Sequence, residues 1–372
     1  MNTTVLDAYV PTRTIDSLEL RLRSGIAGPI EIQSEDLSVT LDAPAFSYDG
    51  ICFYRHTFRG LAPNTRYAFQ ISAPQTGDGT VVEATTLTRP PGQRKLSIGV
   101  MSDIHLPPTP GELRQYRPGT KRLTGLAGEL AHRYIRRLER LGADLIVLPG
   151  DLVEPVTDRT LTALKRILAE VSIPCYPIIG NHEPWSGGGE ARFYEALGLP
   201  PEGYYTVSRN GVRLLMLSTP DPAALSSHST QRRWLEAELE KAGTEEVVLV
   251  SHFSLLLHPC VAGPRNDGYQ LLDDHRQLLG LLARYPSVRL FIAGHKNVPS
   301  VVKRDGVIHT LSPQLIQFPC GYDLFHLYEG GVSRTTFEID EQHYVEVARA
   351  AYAHNWRSRY GDDIGRNFSI EY

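Results

Sequence analysis

Five short blocks of this chain set a carboxylate, an imidazole or a carboxamide at the end of an apolar run. They are Ser102-Asp103-Ile104-His105, Gly150-Asp151, Gly180-Asn181-His182-Glu183, Ser251-His252 and Gly294-His295-Lys296-Asn297. These side chains are the oxygen and nitrogen donors that divalent first-row cations take. Asp103 and His105 stand two residues apart, so in extended chain they project to one side and can share a cation. Asp151 can bridge two cations, because each carboxylate oxygen has lone pairs for a separate ion. Asn181, His252 and His295 are neutral donors suited to a second transition ion such as Mn, Fe or Zn. A single D-x-H or G-D is more often a turn than a site. Five blocks in order, each closing an apolar run, point to one metal centre.

Positioning such blocks requires strands that end on a common edge. From Leu96 onward, apolar runs (LSIGVMS, LIVLPG, CYPIIG, VRLLMLS, EVVLVS, VRLFIAG) alternate with helical stretches near 126–141, 160–171, 231–242 and 277–284. That alternation predicts a layered α/β core, and in open sheets ligands gather beyond the carboxyl ends of strands. The preceding segment, 17–87, reads instead as six or seven short alternating strands, an all-β sandwich. Arg89-Pro-Pro-Gly-Gln93 has linker chemistry. The expected organisation is a sandwich over 1–90, an α/β domain over 94–340 and a helical tail over 341–372, where Val345, Ala348 and Tyr352 keep helical spacing.

Composition limits the partners. The 372 residues are 41% hydrophobic and 22% charged, with a net charge of −4. No apolar run is long enough to span a bilayer, and the balance favours neither nucleic acid nor anionic lipid. Cys52, Cys175, Cys260 and Cys320 are scattered, as thiols rather than a disulfide framework. The first residues lack the pattern of a secretory signal, so the expected location is cytoplasmic. A small-molecule partner is expected; a homo-oligomer could form through the N-terminal domain or the tail.

The order D-x-H, G-D, G-N-H-[DE], H and G-H-x-[HN] resembles the calcineurin-like metallophosphoesterases, over roughly residues 96 to 337. That superfamily includes purple acid phosphatases, protein phosphatases and class III cyclic-nucleotide phosphodiesterases. Leu61-Ala-Pro-Asn-Thr-Arg-Tyr67 resembles the tyrosine corner of fibronectin type III domains, and a sandwich before the catalytic domain resembles the purple acid phosphatases. Asp151 is followed by Leu152, Val153 and Glu154, however, with no tyrosine, and the short blocks look closer to the phosphodiesterase branch.

The resemblance implies a two-metal hydrolase of phosphoesters, in which a hydroxide held by both cations attacks phosphorus. Carried over residue by residue, Asp103, His105 and Asp151 hold one ion, and Asp151, Asn181, His252 and His295 hold the other. Asn297 stands where the family has a histidine completing the first site. His182 is implied as the acid at the leaving oxygen, and Glu183 is a candidate to orient an imidazole such as His105 or His182. The long loop from Leu106 to Thr124 and the turn beyond Glu183 supply candidate substrate contacts: Arg114, Tyr116, Arg117, Lys121, Arg122 and Trp185. The expected substrate is a small nucleotide-like phosphodiester. Alternatives are a phosphomonoesterase, or a nucleotide-binding protein with a weakened first metal site.

Overall fold

The computed structural model describes residues 6–108, 115–116, 120–186, 188–259, 271–352 and 360–372. Eight strands come first: β1 (Asp7–Arg13), β2 (Ser17–Ser24), β3 (Ile30–Ser34), β4 (Leu37–Leu41), β5 (Phe46–Tyr48), β6 (Ile51–Arg59), β7 (Arg66–Ala73) and β8 (Asp78–Thr85). They form two four-stranded sheets, ordered β1-β2-β6-β5 and β4-β3-β7-β8. Alternation drives the pairing, since Leu18, Leu20 and Leu22 of β2 meet Ile30, Ile32, Phe69 and Ile71 in one buried core. The Tyr67 hydroxyl accepts the Ala62 amide at 3.0 Å, closing the expected corner. Strand β1 falls outside the expected set because its pairing shifts register between Tyr9 and Thr12, around Pro11, which breaks the alternation.

The second part contains β9 (Arg94–Val100), the two-residue strands β10 (Gln115–Tyr116) and β11 (Thr120–Lys121), β12 (Leu145–Pro149), β13 (Cys175–Ile178), β14 (Tyr205–Arg209), β15 (Val212–Met216), β16 (Glu246–Ser251), β17 (Val288–Ala293), β18 (Ser300–Arg304), β19 (Val307–Leu311), β20 (Gly321–Tyr328), β21 (Gly331–Glu338) and β22 (Asn367–Glu371). Two six-stranded sheets result, β13-β12-β9-β20-β21-β22 and β14-β15-β16-β17-β19-β18. Ile98, Val147, Met216, Val250, Ile292 and Phe325 fill the layer between them. Helices α1 (Ala127–Arg140), α2 (Asp158–Leu168) and α3 (Gly189–Leu197) cover the first sheet, and α4 (Thr230–Ala242) and α5 (His275–Leu282) the second. Buried on both faces, the central strands read as continuous apolar runs. Helix α1 shows the complementary pattern: Leu130, Tyr134, Ile135 and Leu138 recur at helical spacing and are all buried. Thr157 starts α2 by accepting the Thr160 amide at 3.1 Å.

The tail differs from expectation. It begins as helix α6 (Gln342–Ala350) but ends as β22, paired antiparallel with β21. Asn-Phe-Ser-Ile-Glu is too short a run to declare its period, and the exposed edge of β21 supplies the partner. Sandwich and core meet over buried charge. Arg21 donates to Glu338 Oε2 at 3.1 Å and to Glu19 Oε1 at 2.8 Å, while Arg366 donates to Glu338 Oε1 at 2.9 Å. Beside them, Asn367 Nδ2 donates to the Pro11 carbonyl at 3.0 Å. Among the described residues no helix is long and apolar enough to cross a membrane.

Candidate metal centre

The parallel strands β9, β12 and β13 of one sheet and β16 and β17 of the other carry the five blocks beyond their carboxyl ends. The site therefore straddles the two sheets, with Asp103, His105, Asp151 and Asn181 from the first and His252 and His295 from the second. All five blocks converge, but not through extended chain. Asp103, His105, Asp151, His295 and Asn297 all adopt left-handed backbone, with φ between 48° and 63°. Such a conformation is costly for residues with a Cβ and is held where surrounding structure enforces it. Here cross-strand bonds enforce it: the Asp103 amide donates to the Gly150 carbonyl at 3.2 Å and the His105 amide to the Asp151 carbonyl at 2.9 Å. Asp103 and His105 thus share a side by consecutive left-handed turns, which the spacing argument for extended chain does not anticipate. Gly180 is required by close approach, since a Cβ there would stand 2.4 Å from Asp151 Oδ1.

Asp151, 2% exposed, is the hub. Its Oδ1 accepts the His182 amide at 2.9 Å. Its Oδ2 lies 3.3 Å from His252 Nε2, 3.7 Å from His105 Nε2 and 3.8 Å from His182 Nε2. A single oxygen thus faces both halves of the site, rather than one oxygen for each. Two donor groups share this carboxylate, His105–Asp151–His182 and Asp151–His252–His295, with the ligand atoms in each lying within 4.8 Å of one another. Asp103 Oδ2 accepts the Ser102 hydroxyl at 2.5 Å and the His295 amide at 3.1 Å, and its Oδ1 stands 3.7 Å from His105 Nε2. Asn181 Oδ1 is 2.9 Å from His252 Nε2.

Tautomers are fixed from behind. His252 Nδ1 donates to the Pro149 carbonyl at 2.7 Å, which turns Nε2 toward Asp151. His105 Nδ1 donates to Glu154 Oε2 at 3.0 Å, with the same consequence. His182 Nδ1 lies 3.2 Å from that same oxygen, and Arg122 Nη1 donates to it at 3.3 Å. The carboxylate that orients the imidazoles is therefore Glu154, not Glu183. Glu183 is wholly buried and accepts the backbone amides of Leu152 at 2.6 Å and Gly180 at 2.9 Å, tying two ligand loops together. Glu154 was legible only as a carboxylate inside the apolar stretch Leu152 to Val156, three residues beyond Asp151.

Charge balance follows from these contacts. Burial would raise Asp151, but the adjacent His252 and His105 hold it well below the ordinary carboxylate value. Burial likewise opposes ionisation of Glu154, and its two imidazole partners outweigh it and lower its pKa. Glu183 is pushed up to about 7, by burial first and the Asp151 charge second. His295 is pushed down to about 3 by burial and the neighbouring His252.

The donor set fits cations. Among the described residues, the buried side-chain atoms without a hydrogen-bond partner include three from the ligand blocks, His105 Nε2, His295 Nε2 and Asn297 Oδ1. Leaving such atoms unmatched is costly unless something is bound against them. Of the expected substrate contacts, Trp185 is 62% exposed with its ring centroid 3.9 Å from that of His182. Arg114 and Arg117 lie outside the described residues, as do the side chains of Tyr116 and Lys121.

The family model described as calcineurin-like phosphoesterase matches residues 96–299, more than half of the chain. The chain belongs to the calcineurin-like phosphoesterases. It is accordingly a hydrolase of phosphoester bonds. This phosphoesterase is 26% identical over 203 residues, 54% of its length and 72% of the relative's, to a probable cyclic nucleotide phosphodiesterase of Synechococcus sp.. A probable cyclic nucleotide phosphodiesterase of Psychrobacter sp. is 23% identical over 199 residues, 51% of this chain and 57% of that one. Among solved structures, a dimetal phosphatase from Danio rerio aligns with a TM-score of 0.49 at 19% identity, covering 66% of this chain and 96% of that one. A purple acid phosphatase from yellow lupin aligns over 91% of this chain and 72% of its own, with a TM-score of 0.47 at 15% identity.

Proposed function

We propose that this phosphoesterase hydrolyses a small nucleotide-like phosphodiester with two transition-metal ions, Mn, Fe or Zn. Asp103, His105, Asp151 and Asn297 would hold one ion, and Asp151, Asn181, His252 and His295 the other. The observation that carries the reading is the single Asp151 oxygen shared by two donor groups. Bound cations supply Lewis acidity and an activated water. The chain's own residues do the rest. His182 directs Nε2 into the site because Nδ1 faces Glu154, which places a proton donor where the ester oxygen departs. The water oxygen would bond to phosphorus and release a proton to solvent, the bond to the alcohol oxygen would break, that oxygen would take its proton from His182, and the imidazole would regain one from solvent. Glu154 holds His182 and His105 in matching orientations throughout. The left-handed ligand residues arrive preorganised, so little rearrangement accompanies loading. A cytoplasmic location belongs to the same reading, with residues 1–90 as an accessory domain and self-association open to it.

The test compares initial rates on bis-p-nitrophenyl phosphate and p-nitrophenyl phosphate for the Mn²⁺-loaded protein, with Asp151→Asn as control. Faster turnover of the diester, abolished in the control, supports the reading. Preference for the monoester makes the protein a phosphatase. Nucleotide binding with no control-sensitive turnover of either would favour a binding protein, the reading that Asn297 in place of histidine motivates.

A further inference from the structure

Two exposed apolar side chains sit on the loops that follow ligand blocks. Outside the sandwich and the tail, the described large hydrophobic residues left exposed are Trp185 and Leu257. Each follows a ligand block, four residues after Asn181 and five after His252. Of the two, only Trp185 has its ring against a residue of the polar centre, His182, where a ligand would rest. Trp185 is the more specific of the two. Its indole packs against His182 at a centroid distance of 3.9 Å and an interplanar angle of 40°, yet it remains 62% exposed. The 3-10 turn Glu183–Ser186 carries it, and buried Glu183 anchors that turn to the Gly180 and Leu152 amides. The backbone that carries the ring is therefore tied to the ligand loops, and the ring itself rests on His182. It also lies beside the imidazole that would protonate the departing alcohol, within reach of the organic group that the alcohol carries.

We propose that Trp185 is the platform on which that organic group lies, and that the enzyme selects phosphoesters carrying a flat aromatic ring, a nucleobase or an aryl group. This rests on the phosphoesterase reading and adds the residue that would recognise the organic group, with aryl as well as nucleotide esters in its range. Stacking on an indole is tolerant of ring identity, because every base offers a π face. The pocket then discriminates aromatic from alkyl esters and discriminates poorly among bases.

Two measurements on the full-length Mn²⁺-loaded protein test it. The first is kcat and KM for bis-p-nitrophenyl phosphate, cyclic adenosine monophosphate and the alkyl diester glycerophosphoethanolamine, in wild type, Trp185→Ala and Trp185→Phe. The expected result for Trp185→Ala is a fall of about ten- to a hundredfold in the ratio of kcat/KM for aromatic over alkyl diester, carried by KM, with most of it recovered in Trp185→Phe. An equal loss on both classes, or a loss in kcat alone, overturns the proposal and leaves the indole a cover for His182. The second is quenching of tryptophan fluorescence by adenosine monophosphate and by phenyl phosphate, which needs no turnover. Quenching that Trp185→Phe removes supports the platform even if the catalytic reading fails, and the two ligands separate nucleobase from aryl. Quenching that is absent, or unchanged in Trp185→Phe, overturns it.

Discussion

Two regions of this molecule bury charged groups, and they do so for opposite ends. At the junction of sandwich and core, Arg21 and Arg366 face Glu338 and Glu19, two cations against two carboxylates. In the metal centre, Asp103, Asp151, Glu154 and Glu183 stand among four imidazoles, several imidazole and amide atoms are left without partners, and the backbone is left-handed at five positions. Both regions are almost fully buried, so burial does not separate them. Pairing does. Guanidinium and carboxylate groups answer one another directly at the junction, whereas carboxylates beside imidazoles with unmatched ligand atoms are the donor set of a cation.

The largest effect that would break this contrast is at the junction. Glu338→Gln leaves two buried guanidinium groups without their shared counter-charge, and should cost about 3–5 kcal/mol of stability in urea unfolding, with turnover per folded molecule unchanged. Loss of turnover among folded molecules would mean that the junction also shapes the site. Glu154→Gln is the counterpart in the metal centre. The near-isosteric amide keeps an acceptor oxygen but removes the negative charge that holds both imidazoles, so metal affinity in a chelator competition should fall about 10- to 100-fold with little change in urea midpoint.

A third population of buried ionisable groups sharpens the comparison through pH. Burial, aided by neighbouring cations, pushes His258 down to about 3 and His309 and His326 down to about 4, against an ordinary value of 6.5. Their folded pKa values are depressed, so below about pH 6.5 the unfolded chain binds protons that the native chain refuses. Stability should be full above pH 6.5 and fall as the pH drops toward 4, and a melting temperature flat over that window would contradict it. The smallest effect expected is a gain. Asn297→His replaces an amide oxygen with imidazole, and should tighten metal binding several-fold in the same competition without altering thermal stability of the metal-free protein.

The five ligand blocks were legible because a polar group ending an apolar run is a local signal, and strand ends converge by topology. Glu154 escaped that logic, and Arg122, expected as a phosphate contact, pairs with Glu154. The role of Glu154 arises from which imidazole folds against it, a contact 49 residues apart for Glu154 and His105. Asp103 and His105 were assigned to the same side for the wrong reason, because spacing alone cannot separate extended chain from paired left-handed turns. Strands β1 and β22 were missed for a common cause: a bulge in one and brevity in the other hide a period of two, and both take their register from partners distant in sequence.

The Asn367–Pro11 contact spans 356 positions and sits against the buried salt bridges. During synthesis the sandwich core, made of neighbours in sequence, can close early. The face that receives β22 must then wait while the intervening chain is translated. Until β22 arrives, that face is open to chaperone capture and proteolysis. A slow step in biogenesis would fall at the docking of this strand, after the five blocks had already been translated.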